Sequence, residues 1–281
     1  MKDTGKKFLV SKGRLIELEF PAVMGILNAT PDSFFESSRE LKAEGAVKKA
    51  AQMIDEGAAI LDIGGYSSRP GASDISIQEE ADRVLPVIES IRQNFPQTLI
   101  SIDTFRSEIA ELAVNSGADI VNDISGGNLD KKMFETVARL KTPYILMHMQ
   151  GNPQTMQNAP EYLNVVDEIV ANFSEKLGEL NDLGVHDIIL DPGFGFGKTV
   201  DHNYELLRRL QEFEIFNSLI LAGVSRKSIV NKVLNTKTEE ALNGTTALHM
   251  ECLKNGASIL RVHDVKPAVE AVKIHKFVRP R

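Results

Sequence analysis

The sequence predicts an α/β fold of the (β/α)8 TIM-barrel class with a short N-terminal β-hairpin, in one domain spanning 1–281. Three observations carry this expectation. Eight short apolar runs alternate with helix-period stretches along the chain, the pattern of a parallel sheet covered by helices. Glycines at 57, 117, 184 and 256 each follow a helical stretch and precede Ala or Val and then a strand, a helix stop that leads into the next strand. The runs also end in polar or charged residues. In an open sheet the first and last of these ends could lie far apart, whereas in a closed barrel all eight share one rim and converge on one ligand.

The elements follow in order. Phe8–Val10 and Leu15–Phe20 flank Ser11-Lys12-Gly13, a small hairpin expected to plug the barrel end opposite the polar rim. The eight runs are Val23–Leu27, Ala59–Ile63, Leu99–Ile102, Asp119–Ile124, Tyr144–Met149, Asp187–Leu190, Leu219–Val224 and Ser258–Val262. Helical stretches between them include Ala43–Glu56, Gln78–Phe95, Arg106–Ser116, Tyr162–Leu183 and Thr238–Asn255, with another resuming near Asp201. Ser76 and Glu79 form a capping box before the second.

Composition narrows the function. The 281 residues are 42% hydrophobic and 25% charged, ordinary for a globular protein. A net charge of -7 argues against a nucleic-acid partner, which needs a basic face. An anionic substrate would therefore need local cations or a metal. No apolar run approaches the roughly 18 residues that span a bilayer, and Met1 to Gly13 does not resemble a signal peptide. The lone Cys252 excludes an internal disulfide and fits a reducing compartment. The expectation is a cytoplasmic protein acting on small molecules, with no membrane or nucleic-acid partner.

The polar strand ends are the candidate site. Asp191 follows the buried run Ile188-Ile189-Leu190 and opens Pro192-Gly193-Phe194-Gly195-Phe196-Gly197-Lys198-Thr199. This is not a triphosphate loop, because Pro192 stands where that pattern needs glycine. Asp103 and Asn122 end neighbouring strands, and a carboxylate beside an amide suits an aminopyrimidine-like edge, although each residue also suits a cap or turn. Asn28 could offer an oxygen to a hard cation such as magnesium, or simply turn the chain with Pro31, Asp32 and Ser33. The loop Gly64 to Ala72 carries Ser67, Ser68 and Arg69, and Arg suits a phosphate or carboxylate. Gly223-Val224-Ser225-Arg226-Lys227-Ser228 opens a helix with two cations, against the helix dipole, which favours an anion or a polar ring atom there. Arg261 and His263 alternate along the last strand and can share one face. With Asn28 they would form a cationic, metal-assisted diphosphate site, the alternative for His263 being a satisfied core histidine. His148 and Met147, Met149 and Met156 are left mostly to packing, though methionine can floor an aromatic ligand.

Taken together, MGILNATPDSF, GGYSSRPGA, SIDT at 101–104, NDISGG at 122–127, DPGFGFGK, GVSRKS at 223–228 and RVHDV at 261–265 closely resemble the dihydropteroate synthase family. They run in that family's order from Met24 to Val265. The resemblance implies a (β/α)8 barrel, usually a homodimer, that joins 6-hydroxymethyl-7,8-dihydropterin diphosphate to 4-aminobenzoate, releases diphosphate, and is a sulfonamide target. It implies that Asp103, Asn122, Asp191 and Lys227 hold the pterin. Asn28, Arg261 and His263 would hold the diphosphate, Asn28 through Mg2+. Ser68, Arg69, Pro70 and Ser228 would frame aminobenzoate, and Asp32, Ser33 and Phe34 would lie in a mobile covering loop. Lys227, Arg261, His263 and Asp103 are the expected catalytic residues. This chain departs from the family at Ser68, where Thr is general, at Ala29, where Val is general, and in Phe35-Glu36-Ser37-Ser38, where a Gly-containing turn is common. Barrels that transfer methyl from a folate to a cobalamin partner share the pterin pocket but need no diphosphate site. Arg69, Lys227, Arg261 and His263 therefore favour the synthase, over them and over a non-catalytic pterin binder.

Overall fold

The structure, a computed structural model, describes residues 6–29, 39–67, 74–152, 156 and 160–279. Two antiparallel strands, β1 (Lys6–Ser11) and β2 (Arg14–Glu19), form the expected hairpin. Eight parallel strands follow: β3 (Ala22–Asn28), β4 (Ile60–Gly64), β5 (Leu99–Asp103), β6 (Ile120–Asp123), β7 (Tyr144–Met147), β8 (Ile188–Asp191), β9 (Leu219–Ala222) and β10 (Ile259–Val262). They close into a barrel in sequence order, β10 pairing with β3. The intervening helices are α1 (Arg39–Asp55), α2 (Ile77–Asn94), α3 (Ser107–Ser116), α4 (Met133–Leu140), α5 (Val165–Asp182), α6 (Val200–Arg208), α7 (Ser228–Leu234), α8 (Leu242–Lys254) and α9 (Val265–Val278).

Alternation along the strands sorts the side chains into two cores. Leu61, Ile63, Ile100, Ile102, Val121 and Leu190 point outward and pack under the helices. Their neighbours Ile60, Leu99, Ile120, Ile145 and Ile189 point into the barrel, as the two-residue period of a strand requires. This inner layer is sealed from below by Leu9, Ile16, Leu18 and Phe20 of the hairpin. Polar contacts pin the plug: the Ser11 hydroxyl donates to the Asp119 carbonyl at 2.8 Å, and Val10 N–H to the Asp187 carboxylate at 3.1 Å. Asp119 also receives Arg14 and Arg92, at 2.8 and 2.6 Å. The acids that open two of the predicted runs thus serve the closed end of the barrel.

Helix stops follow the predicted glycines. Gly117 is the C-cap of α3 with φ +125°, and Gly57, Gly184 and Gly256 also have positive φ. The Ser76 side chain caps α2 by accepting from Glu79 N–H. One predicted helix divides: Thr238–Asn255 is a 3-10 turn at Thr238–Glu240 followed by α8. Several strands stop short of the apolar run, as β7 does at Met147 and β9 at Ala222, because the chain leaves the ladder there to turn into the mouth.

Leu18 is buried between hairpin and barrel, at the end away from the polar rim. Leu18→Ala should lower the stability measured by urea unfolding by about 3 kcal/mol while leaving the circular dichroism spectrum of the folded protein unchanged.

Candidate active site

The strands are parallel, so every C-terminal end reaches the same mouth. Register aligns Asn28 with Gly64, Gly64 with Asp103, and Asp103 with Asn122. The Arg261 guanidinium crosses the barrel to this row. Its Nε donates to Asp62 Oδ2 at 2.6 Å and its Nη2 to Asp103 Oδ2 at 2.5 Å. The Asn122 amide donates to the same Asp62 oxygen at 3.0 Å. Burial pushes the Asp103 carboxyl up to about 7; Arg261 opposes the shift, and the nearby Asp62, Glu80 and Asp123 charges add to it. Burial works against the Arg261 charge, yet Asp62 and Asp103 hold its pKa above the ordinary arginine value.

The Gly-rich loop after β8 supplies the opposite wall. Asp191 ends the strand, buried, and its Oδ1 accepts from Gly193 N–H at 2.8 Å. Burial raises its pKa, with Lys227 and that N–H as the largest opposing influences. Gly193 has φ +73°, and a Cβ there would lie 1.9 Å from the His148 carbonyl oxygen. Only glycine fits. Beneath the loop the buried Lys198 ammonium contacts the carbonyls of Gly193 and Phe196, at 3.0 and 3.1 Å, and His148 Nδ1 at 3.1 Å. Burial lowers its pKa to about 7, although Asp191 favours the charge. Burial and Lys198 together keep His148 well below the ordinary histidine range, so its Nδ1 accepts. Lys227 donates to the Phe194 carbonyl at 2.5 Å and lies over the Phe196 ring at 4.5 Å. Burial lowers its pKa to about 8 against the pull of Asp191. Met147, Met149, Met156, Ile124 and Phe196 make a separate small apolar cluster, with Phe105 packed on it. The methionines are therefore packed against an aromatic wall at the site.

The ends of β9 and β10 are tied together. The Ser225 hydroxyl accepts from His263 N–H at 3.1 Å and sits 3.1 Å from its Nδ1. Burial, then Arg261, lowers the His263 pKa to about 4. His263 thus stands beside Arg261 as a hydrogen-bonding group whose charge is disfavoured by burial. The expected pair of cations at 226–227 also divides. Arg226 turns away to a bidentate pair with Asp264, at 2.7 and 2.9 Å, and binds the loop carbonyls of Thr238 and Glu239. Lys227 is the N-cap of the 7-residue α7, and its side chain lies on Phe194 and Phe196 and beside Asp191.

Known proteins match this arrangement. The family model described as pterin binding enzyme matches residues 24–263. Dihydropteroate synthase of Escherichia coli (strain K12) is 45% identical over 268 residues, covering 95% of this chain and 94% of that protein. The chain belongs to the dihydropteroate synthase family. The Yersinia pestis dihydropteroate synthase, solved with a sulfonamide drug, superposes with a TM-score of 0.91 at 39% identity, over 98% of this chain and 100% of that one. The Xanthomonas albilineans dihydropteroate synthase with 4-aminobenzoic acid has a TM-score of 0.89 at 36% identity, over 98% and 99% of the two chains. The family is one of transferases in folate synthesis, and the predicted fold agrees with its solved members.

Within this dihydropteroate synthase barrel, Asp103, Asn122, Asp191, Lys227, Arg261 and His263 share the mouth with Asn28. Ser228 stands exposed at the start of α7, next to Lys227. Asp32, Ser33, Phe34, Ser68, Arg69 and Pro70 lie outside the described residues. Two buried contributors were missed, Asp62 and Lys198. The signal for Asp62 was an acid inside the run Ile60-Leu61-Asp62-Ile63; for Lys198 there was only its place after three alternating glycines. Among the described residues no group of three or more His, Cys, Asp or Glu is placed to hold a metal. A single amide oxygen from Asn28 fits magnesium, which keeps several waters and takes other oxygens from substrate phosphates.

Gly193→Ala should lower kcat/KM about 100-fold or more, because the loop must shift away from His148, with helical content by circular dichroism retained. The pH profile of kcat/KM should be bell-shaped. It rises through about 7 as Asp103 ionises and falls above about 8 as Lys227 loses its proton. A flat profile from 6 to 9 in initial-rate assays would contradict this assignment.

Proposed function

We propose that one barrel domain spanning 1–281 carries out the family reaction at this mouth, joining 6-hydroxymethyl-7,8-dihydropterin diphosphate to 4-aminobenzoate and releasing diphosphate. The observation that carries this reading is Arg261 held between Asp62 and Asp103, on the rim that Asp191 and Lys227 share. Acids fit the N–H edge of a pterin, and cations fit its leaving group. The Xanthomonas albilineans relative with 4-aminobenzoic acid supports the second substrate, and the Yersinia pestis relative supports a sulfonamide-binding site in this chain.

Asp103, Asn122 and Asp191 present oxygens to the ring N–H groups, and Lys227 donates to a ring acceptor. Arg261 and His263 face the diphosphate, and Asn28 would hold Mg2+ beside it. When bound, the metal supplies positive charge to the departing diphosphate. The exocyclic C–O bond breaks with its electron pair leaving on diphosphate. Asp103 and Asp191 favour the positive charge that develops on the pterin. The aryl amine lone pair then forms the C–N bond, and its proton passes to diphosphate oxygen or solvent. No strong base stands among the assigned residues, which favours this dissociative order. Ser68, Arg69, Pro70 and Ser228 would frame aminobenzoate, beneath a covering loop of Asp32, Ser33 and Phe34.

Exposed Ile215, Val233, Leu234, Ile274 and Phe277, all in the C-terminal third, support a homodimer. Among the described residues no helix is long and apolar enough to cross a membrane, and with one buried free cysteine this supports a cytoplasmic location.

The deciding assay follows diphosphate release from the pterin diphosphate on adding 4-aminobenzoate, with stoichiometric dihydropteroate. Lys227→Met and Arg261→Leu should each reduce kcat/KM by about 100-fold or more. Release without coupling to the amine, or wild-type rates in both variants, would refute the assignment.

A further inference from the structure

Strand β4 reads Ile60-Leu61-Asp62-Ile63-Gly64, and all five residues are buried. Asp62 is 0% exposed, and a fully buried carboxylate is costly unless something fixed and positive accompanies it. An apolar side chain would suit the strand better. Its surroundings show what the acid does. A single oxygen, Oδ2, receives both Arg261 Nε at 2.6 Å and Asn122 Nδ2 at 3.0 Å. The other, Oδ1, has no partner among the described residues.

The chemistry of the pair settles the direction of the Asn122 amide. An ionised carboxylate only accepts, so the amide must turn its NH2 toward Asp62. A flipped amide would set two acceptors against each other. The Asn122 carbonyl oxygen is therefore the atom left for the ligand. In the same way the Arg261 Nε, anchored on Asp62, fixes the plane of a guanidinium whose Nη2 reaches Asp103. One atom thus orients two of the groups that bind substrate.

We infer that Asp62 is a positioning residue, whose Oδ2 fixes the Arg261 guanidinium and turns the Asn122 carbonyl oxygen toward the pterin. The inference rests on the site assignments proposed above for Asn122 and Arg261. Asp62 does not touch the reacting atoms.

Two variants separate the acceptor from the charge. Asp62→Ala removes the acceptor. KM for the pterin diphosphate should rise about tenfold or more and kcat should fall, with KM for 4-aminobenzoate unchanged. Asp62→Asn keeps an accepting oxygen at the Oδ2 position and removes only the charge, so KM for the pterin diphosphate should return to within about threefold of wild type.

Its acid limb carries a second signature. The charged groups facing Asp103 are Arg261 from β10, Asp62 from β4, Glu80 from α2, Asp123 from β6 and Lys227 before α7. Asp62 raises the Asp103 pKa, so neutralising it should move the acid limb of kcat/KM to lower pH, by about half a unit or more. A merely structural role would lower the active fraction and leave both KM values in place; that result overturns the inference, as does an Ala variant indistinguishable from Asn. If Asp62→Ala does not fold, Asp62→Ser, too short to reach Arg261 and Asn122 as the carboxylate does, takes its place; the same rise in KM for the pterin diphosphate is expected, and an unchanged KM overturns the inference. Asn122→Ala, measured alongside, distinguishes the two levels. If it leaves KM for the pterin diphosphate unchanged, the site assignment falls and takes this inference with it. If it raises KM while Asp62→Ala does not, only the present inference falls.

Discussion

Burying a guanidinium between two carboxylates at the mouth of a parallel barrel is the constraint on which the site depends. Arg261, Asp62 and Asp103 are each removed from most water, and none would be tolerable there without the others. The balance extends outward. Asp191 favours the charge on both Lys227 and Lys198, while Arg261 and Lys227 help to keep His263 uncharged. The groups behave as one electrostatic unit, in which the protonation of each depends on its neighbours. Closure makes this possible: eight parallel strands bring their C-terminal ends to one rim whatever their separation in sequence.

Much of this was legible before the structure. Eight apolar runs, glycine stops and polar run ends carry the barrel, because strand and helix periods are local properties of sequence. The hairpin and its plug position follow from the same patterning. The residues ending strands were legible for a related reason, since a polar group that closes an apolar run must leave the core there. The rest depends on direction and burial, which periodicity does not encode. Asp62 looks like an interruption of a run until the register shows that it points inward beside Arg261 and Asn122. Arg226 and Lys227 are adjacent and alike in charge, yet one braces a loop through Asp264 and the other faces the mouth. The charge preference of His263 is likewise not legible in sequence, because desolvation and neighbouring cations set it, not residue type. The break between Thr238–Glu240 and α8 has a similar origin, as Arg226 engages the Thr238 and Glu239 carbonyls.

Rigidity at the mouth comes from buried side chains that satisfy polar groups of the loops, backbone and side chain alike. Asp123 points out of the barrel and accepts from Ser125 N–H, Gly127 N–H and the Tyr144 hydroxyl, each at 2.7 Å. It thereby locks the turn that follows Asn122. Buried Glu80 accepts from Thr104 and Arg106, at 2.7 and 2.8 Å, and fixes the turn after Asp103. Asn203 accepts from Gly195 N–H at 2.7 Å and donates to the Thr199 carbonyl at 2.6 Å, while Lys198 gathers carbonyls beneath the same loop.

These braces share a logic. Each stands one step behind a residue at the mouth, and each is polar because what it holds is polar: loop backbone for Asp123, Asn203 and Lys198, the Thr104 and Arg106 side chains for Glu80. Loops that leave a strand end have unpaired N–H and C=O groups, and an apolar brace could pack against them without fixing their direction. Directional bonds from buried acids, an amide and an ammonium hold the acids and cations of the mouth in place before substrate arrives. Charge stabilisation of a departing diphosphate then requires little rearrangement of the protein, the condition under which fixed dipoles and charges are most effective. The desolvation of these braces is a stability cost borne for that order, which is why the polar burial concentrates at the C-terminal mouth while the plugged end is largely filled with Leu, Ile and Phe.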